Sequence, residues 1–321
     1  MNIYQATAIV CLAASACSQA APAQETFTYR GMCDASAAVA LGRDHFVVAD
    51  DEVNTLQIYQ RKRELAVGSL DLSAFLGTEA GKESDLEGAA AIGERIYWIS
   101  SHGRNKDGEE KKRRYQFFAT DVKAGAVPGV APVGAPYTGL LKDLLAAPGL
   151  AAYELGAAAK LAPKAPGGLN IEGLAAAPGG QLLIGFRGPL AGAKALIVPL
   201  TNPAQLLLGK HASFGAPIEL DLDGRGIRSI ELVGTAYLIV AGPAGESGDF
   251  ALYRWSGKAA DPALALRNVD LNGLHPEALF AVPASETIQI LSDDGTARIN
   301  NKACKDLPKS AQSFRSIVVT P

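Results

Sequence analysis

The stretch DLEGAAAIGERIYWISSHG, residues 85–103, reads as a hairpin with an acidic mouth. Asp85 and Glu87 precede a run of small apolar residues. A Gly93-Glu94 turn reverses the chain, and a second run, rich in Ile, Tyr and Trp, ends in polar residues. Two apolar runs around a glycine-containing turn predict a β-hairpin. The pattern recurs. NIEGLAAAPGGQLLIGFRG (170–188) places Glu172 ahead of its first run, and HPEALFAVPASETIQILSDDG (275–295) places Glu277 there. CDASAAVALGRDHFVVADDE (33–52) and GIRSIELVGTAYLIVAGPAG (226–245) place Ser36 and Ser229 at the same point. The successive spacings are 51, 85, 57 and 48 residues.

Repeats of this order, each with two clear strands, predict an all-β fold: a β-propeller with five recognisable blade hairpins and room for a sixth. TLQIYQ (55–60), RRYQFFATDV (113–122), KALIVPL (194–200) and FALYRW (250–255) are the expected outer strands. The 85-residue gap holds LLKDLLAAPGLAAYELGAAAKL (140–161), which reads as short helices broken at Pro148-Gly149. These are expected as an insertion or in place of part of a sixth blade. ETFTYRG (25–31) and SFRSIVVTP (313–321) are both strand-like and are expected to share the last blade, which closes the ring and hides its edges.

In a hairpin the start of strand one lies beside the end of strand two. Glu87 should therefore lie near Ser100, Glu172 near Phe186 and Arg187, and Glu277 near Ser292. If the first strand of each hairpin is innermost, these ends encircle one mouth of a central channel. The predicted ring holds Asp34, Asp50, Asp51, Asp85, Glu87, Glu172, Glu277, Asp293 and Asp294, interleaved with His102, Arg104, Asn105, Arg187, Arg228 and His275. Converging carboxylates repel one another unless a cation or arginine compensates. Oxygen donors suit Ca²⁺ or Mg²⁺, and the two histidines would widen the choice of divalent cation to a transition metal. Asp50, Asp51, Asp293 and Asp294 are the expected metal ligands. Asp85, Glu87, Arg104, Asn105, Glu172, Arg187, Arg228 and Glu277 are the expected ligand-binding set, with His102 and His275 as an acid–base pair. The bland alternative is structural: each Glu accepts backbone N–H bonds from the next blade, and the Asp-Asp pairs are ordinary turns. The mixed-sign run GRNKDGEEKKRR (103–114) reads as a solvated loop.

A chain of 321 residues with a net charge of −3 has length for a large core and no basic patch that would suit nucleic acid. Residues 6–16, ATAIVCLAASA, have the length and apolarity of a signal-peptide core. Residues 1–24 therefore read as leader and tether, and residues 25–321 as one exported propeller domain. Two cleavage readings stand: a lipoprotein box at Ala14-Ser15-Ala16, making Cys17 the lipid anchor, and an A-x-A site at Ala21-Pro22-Ala23. The polar tether favours the first, although no Lys or Arg precedes the apolar core. Export leaves Cys33 and Cys304, one near each end, expected as a disulfide; two buried thiols are the alternative. A periplasmic monomer is expected, touching a membrane only through that lipid.

DLEGAA, GERIYWISSHGRN, LNIEGLAA, LLIGFRGPL and HPEAL together resemble a bacterial family catalogued as a domain of unknown function and expected to form β-propellers. The resemblance runs from about Cys33 to the C-terminus. The D-x-E-G hairpin alone is similar to exported propellers of esterase-like or phytase-like type, which imply metal-assisted phosphoester chemistry. Neither supplies a catalytic set for this chain. Three functions are therefore expected in order: a propeller binding a small molecule, metal or protein partner at an acidic top face; a Ca²⁺-type metal-dependent hydrolase; a structural lipoprotein.

Overall fold

A computed structural model of the chain describes residues 24–79 and 81–321. The leader reading and the Cys17 anchor lie outside the described residues. Five four-stranded antiparallel sheets form the blades. Blade 1 runs Ala35–Leu41, His45–Asp50, Val53–Gln60 and Ala66–Asp71 from the inside out. Blade 2 is Leu86–Ile92, Arg95–Ser100, Phe117–Lys123 and Gly129–Tyr137. Blade 3 is Asn170–Ala177, Gln181–Gly188, Ala195–Leu200 and Ile218–Leu220. Blade 4 is Gly226–Val233, Ala236–Gly242, Ala251–Trp255 and Leu264–Ala265. Blade 5 takes Pro276–Ala281, Ile288–Ser292 and Ser313–Val319 from the C-terminal end of the chain and its outermost strand, Thr26–Arg30, from the N-terminal end.

The innermost strands pack on one another in cyclic order, and blade 5 meets blade 1. Their small residues are a steric requirement at the crowded axis. A Cβ on Gly88 would lie 2.9 Å from Ile99 and 3.1 Å from Leu174 of blade 3, and one on Gly173 would lie 2.8 Å from Ile227 of blade 4. The Glu-Gly pair thus combines a polar mouth residue with the close approach of two blades.

Ring closure is reinforced on two levels. Tyr29 from the N-terminal strand packs against Phe46, Tyr59 and Phe314, with ring centroids 5.1–5.2 Å apart. Cys33 and Cys304 form a disulfide across 271 residues of chain. Residues 140–161 are an insertion: helix Leu140–Ala146, a 3₁₀ turn Pro148–Tyr153 and helix Leu155–Ala158. Leu140, Leu144, Leu150 and Leu155 bury themselves against the core shared by blades 2 and 3. The long spacing is therefore a capped seam, and the blades number five. One strand starts later than expected. Lys112–Arg114 forms a 3₁₀ turn because Arg113 and Arg114 turn to bind Glu83, so the ladder begins at Phe117.

Candidate functional site: the mouth of the central channel

Each inner strand carries a β-bulge at the same place. The ladder skips Ser36 between Ala35 and Ala37, Glu87 between Leu86 and Gly88, and Glu172 between Ile171 and Gly173. It skips Arg228 between Ile227 and Ser229, and Glu277 between Pro276 and Ala278. A bulge re-aims a side chain and is common beside binding sites. Around the ring the bulged residues read Ser, Glu, Glu, Arg, Glu. The fourth corrects the sequence reading, which placed Ser229 in register. Ser229 instead accepts a 3.2 Å bond from the Leu279 amide in blade 5, and Ser36 donates a 2.5 Å bond to the Leu86 carbonyl in blade 2. Bracing of the next blade belongs to these serines. Among the described residues, no backbone amide of a neighbouring blade donates to Glu87, Glu172 or Glu277.

Glu87, Glu172 and Glu277 line one cavity of about 550 Å³, together with Asp34, Asp51, Asp85, Asp293 and Arg187. Its two halves differ in charge balance. On the side of blades 3 to 5, Arg187 donates to Glu172 at 2.9 Å and to the carbonyls of Pro243 and Gly245. The Arg228 guanidinium lies 2.7 Å from the other Glu172 oxygen, in ionic contact though off the hydrogen-bond axis, and it also pairs with Glu277. Burial pulls Arg228 below its ordinary pKa, against the attraction of Glu172.

On the side of blades 1 and 2 the acids outnumber their partners. Asp85 pairs with Arg114 at 3.0 Å and accepts from the Ser101 hydroxyl. Asp50 accepts from the Glu52 amide at 2.9 Å, and Asp293 from the Gly295 amide at 2.7 Å. Among the described residues, Asp34, Asp51 and Glu87 have neither an ion-pair partner nor a donor. Glu87 is only 7% exposed and Asp34 only 6%. Burial, with added repulsion from Asp293 and Asp50, lifts Asp34 to about 8. Burial lifts Asp50 to about 7 and Asp85 to about 6. Burial and then Glu87 raise Asp51 well above the carboxylate range; burial and then Glu172 do the same for Glu87. Two groups, Asp34/Asp50/Asp51 and Asp51/Asp85/Glu87, each present oxygens within 4.8 Å of one another and could hold a metal ion.

Several expected site residues stand elsewhere. The His102 ring is buried against Tyr115, its Nδ1 lies 2.8 Å from the Ser100 carbonyl, and burial lowers its pKa to about 4. His275 is exposed and meets Phe250 edge-on, with centroids 6.0 Å apart. Neither ring lines the cavity. The polar exit SSHGRN drew attention to His102, but its left-handed backbone (φ 54°) turns the ring away into the blade. Arg104 donates to the carbonyls of Ala159 and Gly108, tying the loop to the helical insertion rather than facing a ligand. Asn105 reaches the rim, where its amide bonds Glu109 and its carbonyl accepts from the Asp107 and Glu109 amides. Asp294 is paired with Arg315 at 2.7 Å and takes the Ser292 hydroxyl, which holds it outside the cavity. Among the cavity residues that escaped the sequence reading are Arg114 and its partner Glu83, with Arg113, Lys164, Glu246 and Lys305 also on the lining. Arg114 and Glu83 look like members of solvated charge runs, and only the blade geometry brings them to the mouth.

Residues 139–289 match the profile of the family described as Protein of unknown function (DUF3616), a narrower span than the resemblance from Cys33 onward. No curated protein matches the chain. Among solved structures, a Thermus thermophilus protein described provisionally as an oxidoreductase (glucose dehydrogenase) is 12% identical, with 92% of this chain and 100% of that one covered and a TM-score of 0.48. A luciferin-regenerating enzyme is 8% identical over 92% and 96% of the two chains, with a TM-score of 0.47. The PQQ-bound aldose sugar dehydrogenase of Streptomyces coelicolor is 12% identical over 93% and 100%, with a TM-score of 0.42. The blade assignment rests on the strand pairings of this chain, and nothing about its activity is taken from these proteins.

Proposed function

We propose that this protein is an exported binding propeller whose channel mouth takes up a divalent cation of the Ca²⁺ class in the half formed by blades 1 and 2. The observation that carries this reading is the absence of donors around Asp34, Asp51 and Glu87 among the described residues; their oxygens stand beside those of Asp50 and Asp85. Buried anions are paired or coordinate metals, since an isolated one is strongly disfavoured. The donors are all oxygens, which suits hard cations. In each group the oxygens lie within 4.8 Å of one another, close enough for one ion to touch all three. Ca²⁺ accepts a flexible all-oxygen shell of carboxylates, whereas Mg²⁺ demands octahedral geometry and keeps several waters, which favours Ca²⁺ at a site supplied by clustered carboxylates. The disulfide is compatible with an oxidising compartment and so with export.

The test is calorimetric titration of chelator-treated protein with Ca²⁺ and Mg²⁺, alongside thermal denaturation. Saturable Ca²⁺ binding with a raised midpoint, lost in Glu87→Gln and Asp51→Asn, is the expected result. Absence of saturable binding by the folded wild-type protein would overturn the proposal. The compartment is tested separately: Cys17→Ser should release a membrane-bound protein into the soluble periplasmic fraction.

A further inference from the structure

We infer that the acidic half holds two divalent cations, not one, with the Asp51 carboxylate bridging them. This deepens the cation reading above and rests on it. Asp51 belongs to both coordinating groups: with Asp34 and Asp50 on one side, and with Asp85 and Glu87 on the other. The two sides open differently. Asp85 and Glu87 line the main cavity, whereas Asp50 lines a second cavity of about 310 Å³ between blade 1 and the segment 305–312 that leads into the Ser313–Val319 strand of blade 5, with Lys309 and Gln312. Asp34 lines both. Asp51 lines the main cavity and is grouped with acids that border each of the two spaces.

Charge balance separates one ion from two. The two groups contain Asp34, Asp50, Asp51, Asp85 and Glu87. Arg114 neutralises Asp85, and Lys305 is held 2.6 Å from Glu52. Four carboxylates of these groups remain, and Asp293, on the same cavity, has no ion-pair partner among the described residues either. One divalent ion would balance two of the four group carboxylates, and two ions balance all four. Unpaired buried charge is the costlier arrangement. Asp34 and Glu87, both more than nine-tenths buried and without a donor, belong to different groups. Each ion thus acquires one acid with no other partner, and Asp51 serves both.

Mn²⁺ is the probe, because its electron paramagnetic resonance distinguishes isolated from coupled ions. Titration of the full folded chain should reach two Mn²⁺ per chain and give an exchange-coupled spectrum. Asp50→Asn, with Asp34→Asn as a second variant of the same group, should fall to one ion and revert to the isolated six-line signal. Glu87→Gln should also fall to one ion. Circular dichroism establishes that each variant is folded. A wild-type stoichiometry of one that Glu87→Gln abolishes and Asp50→Asn leaves unchanged would overturn the pair of ions but keep the single-cation reading. Two uncoupled six-line signals would overturn the Asp51 bridge. No binding by wild type would overturn both readings.

Discussion

The two halves of the channel mouth solve one electrostatic problem in opposite ways. Blades 3 to 5 bring Glu172 and Glu277 together and place Arg187 and Arg228 between them. Blades 1 and 2 bring Asp34, Asp50, Asp51, Asp85 and Glu87 together and supply Arg114 to one of them. The same bulge on the same inner strand delivers a carboxylate in blades 2, 3 and 5 and a guanidinium in blade 4. The difference teaches that the fold sets where a side chain points, while its charge decides what the position does. Internal cations make one half a structural clasp; the other half keeps Asp34, Asp51 and Glu87 without a donor among the described residues.

The largest effect should come from removing one internal cation. Arg228→Met leaves Glu172 and Glu277 buried without their shared partner, and breaking such a pair costs about 3–5 kcal/mol. A denaturant titration should show that loss. The contrast between the halves breaks if the variant is as stable as wild type. Next comes ring closure: reducing Cys33–Cys304 should cost about 2–5 kcal/mol, read as a lower midpoint under reducing conditions. Cation binding should be of similar size, since saturation at a hundredfold excess over Kd stabilises by about 2.7 kcal/mol. Thermal scans across a Ca²⁺ series test this, and the gain should disappear in Glu87→Gln.

A pH series sharpens the comparison further. In chelator, Asp34 and Asp50 have folded values of about 8 and 7, against 3.8 for an ordinary aspartate. Between those limits the folded chain holds protons that the unfolded chain has released. Stability is therefore full below pH 4 for these groups and is lost as pH rises through about 7 to 8. The expected decline from pH 5 to 8 is at least about 1.4 kcal/mol, the equivalent of one pKa unit. Saturating Ca²⁺ should flatten it. A chelated protein with equal stability at both pH values would remove the strain assigned to the acidic half. The smallest effect should be one of opposite sign on the two halves. In chelator, Glu87→Gln removes the cost of burying a carboxyl that the unfolded chain would ionise and should stabilise by about 1 kcal/mol, whereas Glu172→Gln, which loses its ion pairs with Arg187 and Arg228, should destabilise. Paired denaturation curves decide it, and a loss of stability in both variants would mean that Glu87 has a cationic partner after all.

Much of this architecture can be read from the chain. Two apolar runs around a turn require only local periodicity, so the five hairpins, the third strands and the terminal strands sharing a blade are visible in sequence. The Glu-Gly pair carried its own signal, a polar residue followed by the smallest one, and the axis needs both. Cys33 and Cys304 required only the reasoning that an exported chain pairs an even set of thiols. Equivalence within blade 4 was harder. Ser229 fits the apolar spacing, but a bulge consumes one residue of register, and Arg228 occupies the re-aimed position. Nothing in the local pattern distinguishes a bulged residue from its neighbour.

The sequence by itself determined the all-β repeat, the end of each hairpin at which polar side chains gather and the identity of the glutamates that reach the channel, because strand periodicity and turn chemistry act between near neighbours. Tertiary structure alone decided which charges meet. Asp51 stands beside Glu87 because blade 1 packs on blade 2, and Arg228 reaches Glu172 and Glu277 because it rises between their blades. His102 was lost to a left-handed turn, and Arg114 was recruited from a loop that looks solvated. Electrostatic balance depends on distances across the axis between residues tens to hundreds of positions apart, and only ring closure fixes those distances.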